Sequence, residues 1–174
     1  MAATGSLLYV IVCAAGPAGD VGRLVAMAQD DGWAVQVVAT PAALDFVDAQ
    51  ALEVQTGRSV RSRYRKPVEP KPPRADAIIV APATYNTINK FAHGIADTYA
   101  LGLLAEAPGL GIPVVMVPYV NDALAVRAPF LRSVEQLRAE GVCMLTGQAK
   151  PHIADTGAAD VFPWRSALAE LEDR

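Results

Sequence analysis

Short apolar runs alternate with longer helical segments along the chain, and this alternation restricts the possible folds more than any other feature. Leu7–Cys13 is continuously apolar, which is typical of a strand buried on both faces. The pattern predicts four more strands, at 33–39, 77–81, 113–117 and 142–145. Helices are predicted at 20–30, from Thr40-Pro41 onward, and at 87–106, 122–140 and 165–172. The chain is therefore expected to form an α/β three-layer sandwich, with helices on both faces of a parallel sheet.

One segment interrupts this alternation. Between Arg58 and Arg74 the sequence holds seven basic residues and four prolines, and prolines at this spacing prevent a regular helix or strand. We predict that this basic loop (residues 58–74) lies within a single domain spanning 1–174, because the alternation resumes unchanged after it. A length of 174 residues also suits one core. Charge runs are usually solvated, so the loop is expected at the surface.

Charge, histidines and cysteines argue against several functional classes. The net charge of −3 gives no general attraction to nucleic acid. His152 has no cysteine or second histidine nearby, so no metal site is expected. Cys13 and Cys143 lie in apolar runs and are predicted to be core thiols rather than a disulfide. No apolar run reaches the roughly 20 residues of a membrane helix. Because no signal-type N-terminus is evident, we expect a cytoplasmic protein.

Ligands of parallel α/β sheets bind outside the carboxyl ends of the strands. Four segments are predicted there: 14–19, 40–46, 82–87 and 118–121. The small residues of Ala14–Gly19 would let backbone N–H groups approach a phosphate, and a simple tight turn explains them equally well. Thr40 either caps the following helix or binds a phosphate. These two segments therefore leave the nature of the site open.

The third segment is more informative, because a buried strand there runs directly into hydroxyl and amide side chains. Ala81–Thr87 (APATYNT), followed by Ala92–Asp97 (AHGIAD), resembles the PASANT segment and the AHGIAD motif of the flavin-dependent cysteine decarboxylases. Val35–Val47 resembles that family's second strand and following helix, and Pro118–Asn121 (PYVN) lies where the family has its P-x-M-N motif. The resemblance covers roughly residues 7 to 145.

The resemblance implies a flavodoxin-like (Rossmann-type) subunit that binds FMN, acts on a small-molecule substrate and assembles as a homotrimer or as several trimers. In that family the flavin oxidises a cysteine side chain to a thioaldehyde-type species, and loss of carbon dioxide then leaves an enethiol. Asn121 would contact a substrate carboxylate. The cofactor would be held by residues of three loops: Ala14, Ala15, Gly16, Thr40, Phe46, Thr84, Asn86 and Thr87.

Several positions depart from the family pattern. The catalytic histidine of the family falls at Val68, inside the basic loop. Ala14-Ala15 replaces a Gly-Ser pair, so a phosphate-binding hydroxyl is absent. Tyr85 replaces a small alanine beside the flavin, and Val120 replaces the methionine of the P-x-M-N motif. These departures predict a retained cofactor site with altered chemistry, because the family's base is missing.

The main hypothesis is thus an FMN-dependent lyase, decarboxylase-like, or an oxidoreductase that acts on a small thiol or carboxylate. One alternative is a non-catalytic flavin-binding or regulatory subunit. A flavin prenyltransferase is a weaker alternative, since its Gly-Ser-Gly-Ala first loop is absent from Ala14–Gly19. Nucleotide binding without flavin also fits the first loop. For the basic loop, the alternative to solvated surface is that Arg61, Arg63 or Arg65 contacts the flavin phosphate or an anionic substrate.

Overall fold

Five parallel strands form the sheet of the computed structural model, which describes residues 5–147 and 162–172. The strand order is β2-β1-β3-β4-β5, and every neighbouring pair is parallel. This is the order of a flavodoxin-like sheet, and it confirms the predicted fold class. The strands are β1 Leu7–Val12, β2 Ala34–Ala39, β3 Ala77–Ala83, β4 Val114–Pro118 and β5 Cys143–Met144.

Helices cover both faces of the sheet, as predicted. Alternate residues of β1 point into two separate cores: Tyr9 and Ile11 into one, Leu8 and Val10 into the other. Helices α3, α4 and α6 pack on the first core, and α1, α2 and α7 on the second. The helix bounds are α1 Val21–Asp30, α2 Ala49–Thr56, α3 Tyr85–Ala92, α4 Tyr99–Glu106, α5 Asp122–Ala125, α6 Ala128–Ala139 and α7 Trp164–Glu172.

Two helices predicted as continuous are each broken. The segment predicted at 87–106 forms α3 and α4, because Gly94 adopts a positive φ of 70° just after α3 and Thr98 caps α4. The Thr98 side chain accepts a hydrogen bond from the Leu101 backbone N–H at 3.2 Å. The segment predicted at 122–140 forms α5 and α6, with Pro129 in the first turn of α6.

The segment after Thr40 also differs from the prediction of a single helix. Pro41–Asp45 forms a short 3-10 helix, as does Gly16–Asp20 after β1. The α-helix begins only at Ala49, where the Asp48 side chain accepts from the Ala51 backbone N–H at 3.0 Å. Asp48 is therefore the capping residue of α2, and Thr40 makes no side-chain capping hydrogen bond.

The basic loop contains no helix, as its prolines predict, and the backbone of one of its residues, Arg61, pairs with the edge of the sheet. The Arg61 backbone N–H donates to the Val37 carbonyl at 3.1 Å, and the Ala39 N–H donates to the Arg61 carbonyl at 2.8 Å. This pairing forms an isolated parallel bridge between Val38 and Arg61. The loop thus starts beside the outer edge of β2 rather than leaving the domain.

Candidate functional site

The carboxyl ends of β1 and β3 border a cavity of about 400 Å³, the switch-point cavity. The order of strands reverses between β1 and β3, and open α/β sheets bind ligands in the crevice at such a point. The Cys13 backbone N–H donates to the Pro82 carbonyl at 3.2 Å, which joins the two strand ends. Nine residues line the cavity: Ala14, Thr40, Pro41, Ala42, Thr84, Asn86, Thr87, Thr98 and Leu101.

A group of hydrogen-bonded hydroxyls lies where β3 runs into α3. The Thr84 side chain accepts from the Thr87 backbone N–H at 3.4 Å and so caps α3. The two hydroxyls are 3.2 Å apart, and the Cys13 thiol donates to the Thr87 hydroxyl at 3.4 Å. Thr87 is buried, so this network fixes both threonine side chains at the wall of the cavity.

The charge distribution of the cavity suits an anionic or polar ligand. None of its nine lining residues carries a charged side chain, so nothing acidic opposes an anion. Asn86 is the second residue of α3, and the first backbone N–H groups of a helix lack intrahelical partners and carry partial positive charge. The Thr40 hydroxyl makes no capping bond and is free for a ligand. Hydroxyls, an amide and a helix start therefore converge here.

Three of the predicted cofactor residues lie outside the cavity lining. Ala15 precedes the 3-10 helix at Gly16–Asp20, and its carbonyl accepts from the Ala18 N–H at 2.9 Å. Gly16 is exposed, and a Cβ there would lie 3.4 Å from the Tyr119 hydroxyl. Phe46 is half-exposed at the end of the second 3-10 helix, close to the first loop, where a Cβ on Gly19 would lie 3.4 Å from its carbonyl. These three residues are therefore absent from the cavity lining, whereas Ala14, Thr40, Thr84, Asn86 and Thr87 line the cavity.

Sequence reasoning missed two lining residues, Thr98 and Leu101, which lie outside the four predicted segments; Pro41 and Ala42 fall within the predicted segment 40–46 but were not singled out. Thr98 caps α4 and Leu101 belongs to it, and the structure separates this helix from α3. A threonine directly before an apolar helical run is a helix-start signal, so Thr98 could have been recognised as a cap. Its place beside the cavity follows from how α4 packs, which no local signal reveals.

A second cavity of about 310 Å³, the α6 cavity, lies between β4 and α6 and is lined by Val120 and Phe130, among others. The Tyr85 ring stacks on that of Phe130, with centroids 5.9 Å apart and planes at 21°. Asn121 caps α5, since its Oδ1 accepts from the Leu124 N–H at 2.9 Å. Asn121 lines neither cavity, so its contact with a substrate carboxylate stays a prediction.

Comparison with known proteins identifies the family. The model of the Flavoprotein family matches residues 4–174. The chain belongs to the Flavoprotein family. A probable phosphopantothenoylcysteine decarboxylase from Streptococcus mutans is 31% identical over 100 residues, which are 53% of this chain and 55% of that protein. Dihydromethanopterin reductase (acceptor) from Methanosarcina mazei is 44% identical over 45 residues, which are 26% of this chain and 19% of that protein. The matches thus span about half or less of these relatives.

Solved structures of decarboxylases share the fold of this flavoprotein. The FMN-dependent cysteine decarboxylase TvaF from thioviridamide biosynthesis superimposes with a TM-score of 0.78 at 24% identity, covering 97% of this chain and 96% of that one. The cypemycin decarboxylase CypD superimposes with a TM-score of 0.68 at 25% identity, covering 80% and 82%. These similarities confirm the flavodoxin-like fold inferred from the strand order.

The basic loop of this flavoprotein places its predicted functional residues away from the switch-point cavity. Val68, which the resemblance predicts at the position of the family's histidine, has 91% of its surface exposed. The Arg65 guanidinium donates to the Glu69 carbonyl at 3.0 Å and so closes a turn of its own loop. Arg61, Arg63 and Arg65 are all absent from the cavity lining. Within this chain, the structure therefore gives no support to the alternative in which these arginines meet a flavin phosphate.

The structure places Cys13 in the core, as the sequence predicts, although its thiol contacts the site. Burial raises the pKa of the Cys13 thiol, and the hydrogen bond with Thr87 opposes that shift only in part. The thiol is therefore protonated near neutral pH and is a poor nucleophile. It supports the threonine network rather than attacking a substrate.

This burial makes a prediction about thiol reactivity. With the native flavoprotein at mildly alkaline pH, Ellman's reagent should modify the half-buried Cys143 well before Cys13. In a Cys143→Ser variant, the remaining thiol should react only when denaturant is added. Rapid modification of native Cys143→Ser protein would contradict the placement of Cys13.

Across residues 5–147 and 162–172, no group of three or more His, Cys, Asp or Glu side chains could hold a metal ion. The helices of that same part of the chain are all too short or too polar to cross a membrane. His152 lies outside the described residues.

Proposed function

We propose that this flavoprotein binds FMN in the switch-point cavity and acts on a small thiol or carboxylate in a decarboxylase-like reaction. The observation that carries the proposal is the set of uncharged hydrogen-bonding groups at the β1/β3 switch point, where sheets of this strand order hold FMN. The membership of the family and the names of its relatives, FMN-dependent cysteine decarboxylases among them, support the same cofactor.

The residues at the cavity fit such a cofactor. Thr84, Asn86 and Thr87 offer donors and acceptors to the polar edge of a flavin ring. Ala14, Ala15 and Gly16 are small enough for their backbone N–H groups to approach a phosphate, and the Thr40 hydroxyl adds a further donor. Phe46 supplies a half-exposed ring close to the first loop. A bound flavin would supply the oxidising power, as acceptor of two electrons from the substrate.

Substrate recognition is proposed to involve Asn121. Its Oδ1 is occupied by the helix cap, which fixes the side chain and leaves the amide NH₂ to donate to a carboxylate. Assembly as a homotrimer or as several trimers, in the cytoplasm, is proposed from the same family resemblance. Light scattering of the purified protein tests the assembly.

A non-catalytic flavin-binding protein is the second candidate, and one observation favours it. Among the described residues, no titratable side chain lines the switch-point cavity. The family resemblance also implies the aliphatic Val68 at the position of the family's histidine. An active enzyme would need a proton acceptor from outside the described residues of this chain or from a neighbouring subunit.

The visible absorption spectrum of the purified protein tests the cofactor first. We expect a yellow protein whose chromophore, released by heat, is identified as FMN by mass spectrometry. A colourless protein that also fails to take up added FMN would overturn the proposal. Cysteine-ended peptides and phosphopantothenoylcysteine, added without oxygen, then separate the two candidates. Bleaching of the flavin with release of carbon dioxide supports the enzyme, and a flavin that stays oxidised with every substrate supports the binding protein.

A further inference from the structure

A third cavity, of about 460 Å³, lies between the basic loop, the starts of β1 and β3, and α4. We name it the tyrosine cavity, after Tyr9, Tyr64 and Tyr99 in its wall. It shares no lining residue with the switch-point cavity, so it is a separate site. Its volume lies within the usual range for small-molecule pockets.

One wall of the tyrosine cavity is aromatic. The Tyr64 ring meets the Tyr99 ring edge-to-face, with centroids 5.3 Å apart and planes at 75°. Gly102 makes this contact possible, because a Cβ at that position would collide with the Tyr64 hydroxyl. Tyr64 belongs to the basic loop and Tyr99 to α4, so the aromatic contact holds the loop over the helix. A planar ring would find edge and face contacts against this wall.

The Tyr99 hydroxyl is a buried polar group without a protein partner. Tyr99 is 6% exposed, and its hydroxyl oxygen is buried with no hydrogen-bond partner among the described residues. The Tyr9 hydroxyl lies close to that of Tyr99 but donates instead to the Pro73 carbonyl at 2.7 Å, and the two hydroxyls do not meet hydrogen-bond geometry. Buried hydroxyls are almost always hydrogen-bonded, so an unpaired hydroxyl at a cavity wall indicates a missing acceptor. That acceptor would have to enter the cavity.

Most of the charged side chains that line this cavity are basic. Arg65, Lys71 and Arg74 line the cavity, and Glu106 is the one acidic lining residue. Arg65 and Arg74 already donate to backbone carbonyls, at Glu69 and Leu110. The Lys71 ammonium makes no hydrogen bond or ion pair within the described part of the chain. Lys71 and the Tyr99 hydroxyl are therefore two donors of this cavity that no group of the described residues engages.

We propose that the tyrosine cavity binds a small molecule in which an oxyanion, a carboxylate or phosphate, is joined to an aromatic ring. The Tyr99 hydroxyl donates to the oxyanion, the Lys71 ammonium pairs with its charge, and the ring packs against Tyr64. The site is independent of the flavin, since neither its lining nor its charges belong to the switch-point cavity.

Calorimetric titration of the purified full-length protein tests this site, with phenyl phosphate as probe. Phenol and inorganic phosphate, the two halves of the probe, should each bind more weakly. Tyr99→Phe and Lys71→Ala should each weaken phenyl phosphate binding about tenfold, the effect of one hydrogen bond to a charged group. Lys66→Ala, a neighbouring lysine of the same loop that does not line the cavity, should change nothing.

Thermal melting and flavin content separate binding from structural effects. Tyr99→Phe should leave the melting temperature of the unliganded protein unchanged or higher, because it removes an unpaired buried hydroxyl. All three variants should keep the same flavin content as the wild type. The proposal is overturned if phenyl phosphate does not bind saturably, if Lys66→Ala weakens binding as much as Lys71→Ala, or if Tyr99→Phe lowers the melting temperature. None of these outcomes would affect the test of FMN binding in the switch-point cavity.

Discussion

Replacement of Asn86 by aspartate should lower flavin affinity by about 10- to 100-fold while leaving the fold intact. Asn86 lines the switch-point cavity at the second position of α3. A carboxylate there would face an anionic cofactor a few ångströms away, and at a protein-like dielectric this repulsion is worth roughly 1.4–3 kcal/mol. The same carboxylate sits in the first turn of a helix, where negative charge is favourable. The melting temperature of the flavin-free protein should therefore stay the same or rise slightly.

Gln50→Glu is the matched control for this substitution. Gln50 is the second residue of α2, so the change introduces the same charge at the same position of another helix, outside the cavity. Quenching of FMN fluorescence during titration measures both variants. We expect Gln50→Glu to bind FMN like the wild type. Equal FMN affinity of Asn86→Asp and the wild type would remove Asn86 from the flavin site.

Phe130→Ala should lower the free energy of unfolding by about 3–5 kcal/mol, the usual cost of truncating a buried phenylalanine. Phe130 is 4% exposed on α6 and stacks on Tyr85, the first residue of α3. Loss of the ring leaves a void between the two helices and frees the start of α3. Because Thr84 and Asn86 flank Tyr85, flavin affinity should fall together with stability.

Urea unfolding, monitored by circular dichroism, measures this loss in the free energy of unfolding. Leu131→Ala is the control, since Leu131 is the next residue of α6 and half of its surface is exposed. Its effect should stay below about 1 kcal/mol. If Phe130→Ala is no more destabilising than Leu131→Ala, Phe130 does not join α6 to α3 in the way described.

The strands were predictable because a parallel sheet buries both faces of each strand, which leaves continuous apolar runs such as Leu7–Cys13. The ends of the helices were harder to predict. The periodicity of 87–106 continues through Gly94, and only the positive φ of that residue and the cap at Thr98 divide the segment. Local signals for both residues exist, but apolar periodicity outweighed them in the prediction.

The residues of the switch-point cavity also differ in whether the sequence could predict them. Thr84, Asn86 and Thr87 were predictable because they directly follow a strand, and the carboxyl ends of parallel strands share one edge. Thr98 and Leu101 were not, since they reach the cavity through the packing of a helix. The tyrosine cavity could not be predicted from the sequence either. Tyr64 and Tyr99 are far apart in sequence, and Tyr64 lies in a loop that looks like solvated surface.

The pairing of Arg61 with β2 limits how this protein can assemble. A bare outer strand offers a row of unpaired backbone groups to which a foreign strand can add, and proteins block such edges with charges, coverings or short strands. Arg61 occupies the carboxyl half of the β2 edge, and β5, at the opposite edge, is only two residues long. These two features hinder the addition of a foreign strand at either border of the sheet. We therefore expect any contact between copies of this chain to use helices and loops, and the rims of the sheet to resist amyloid-like growth.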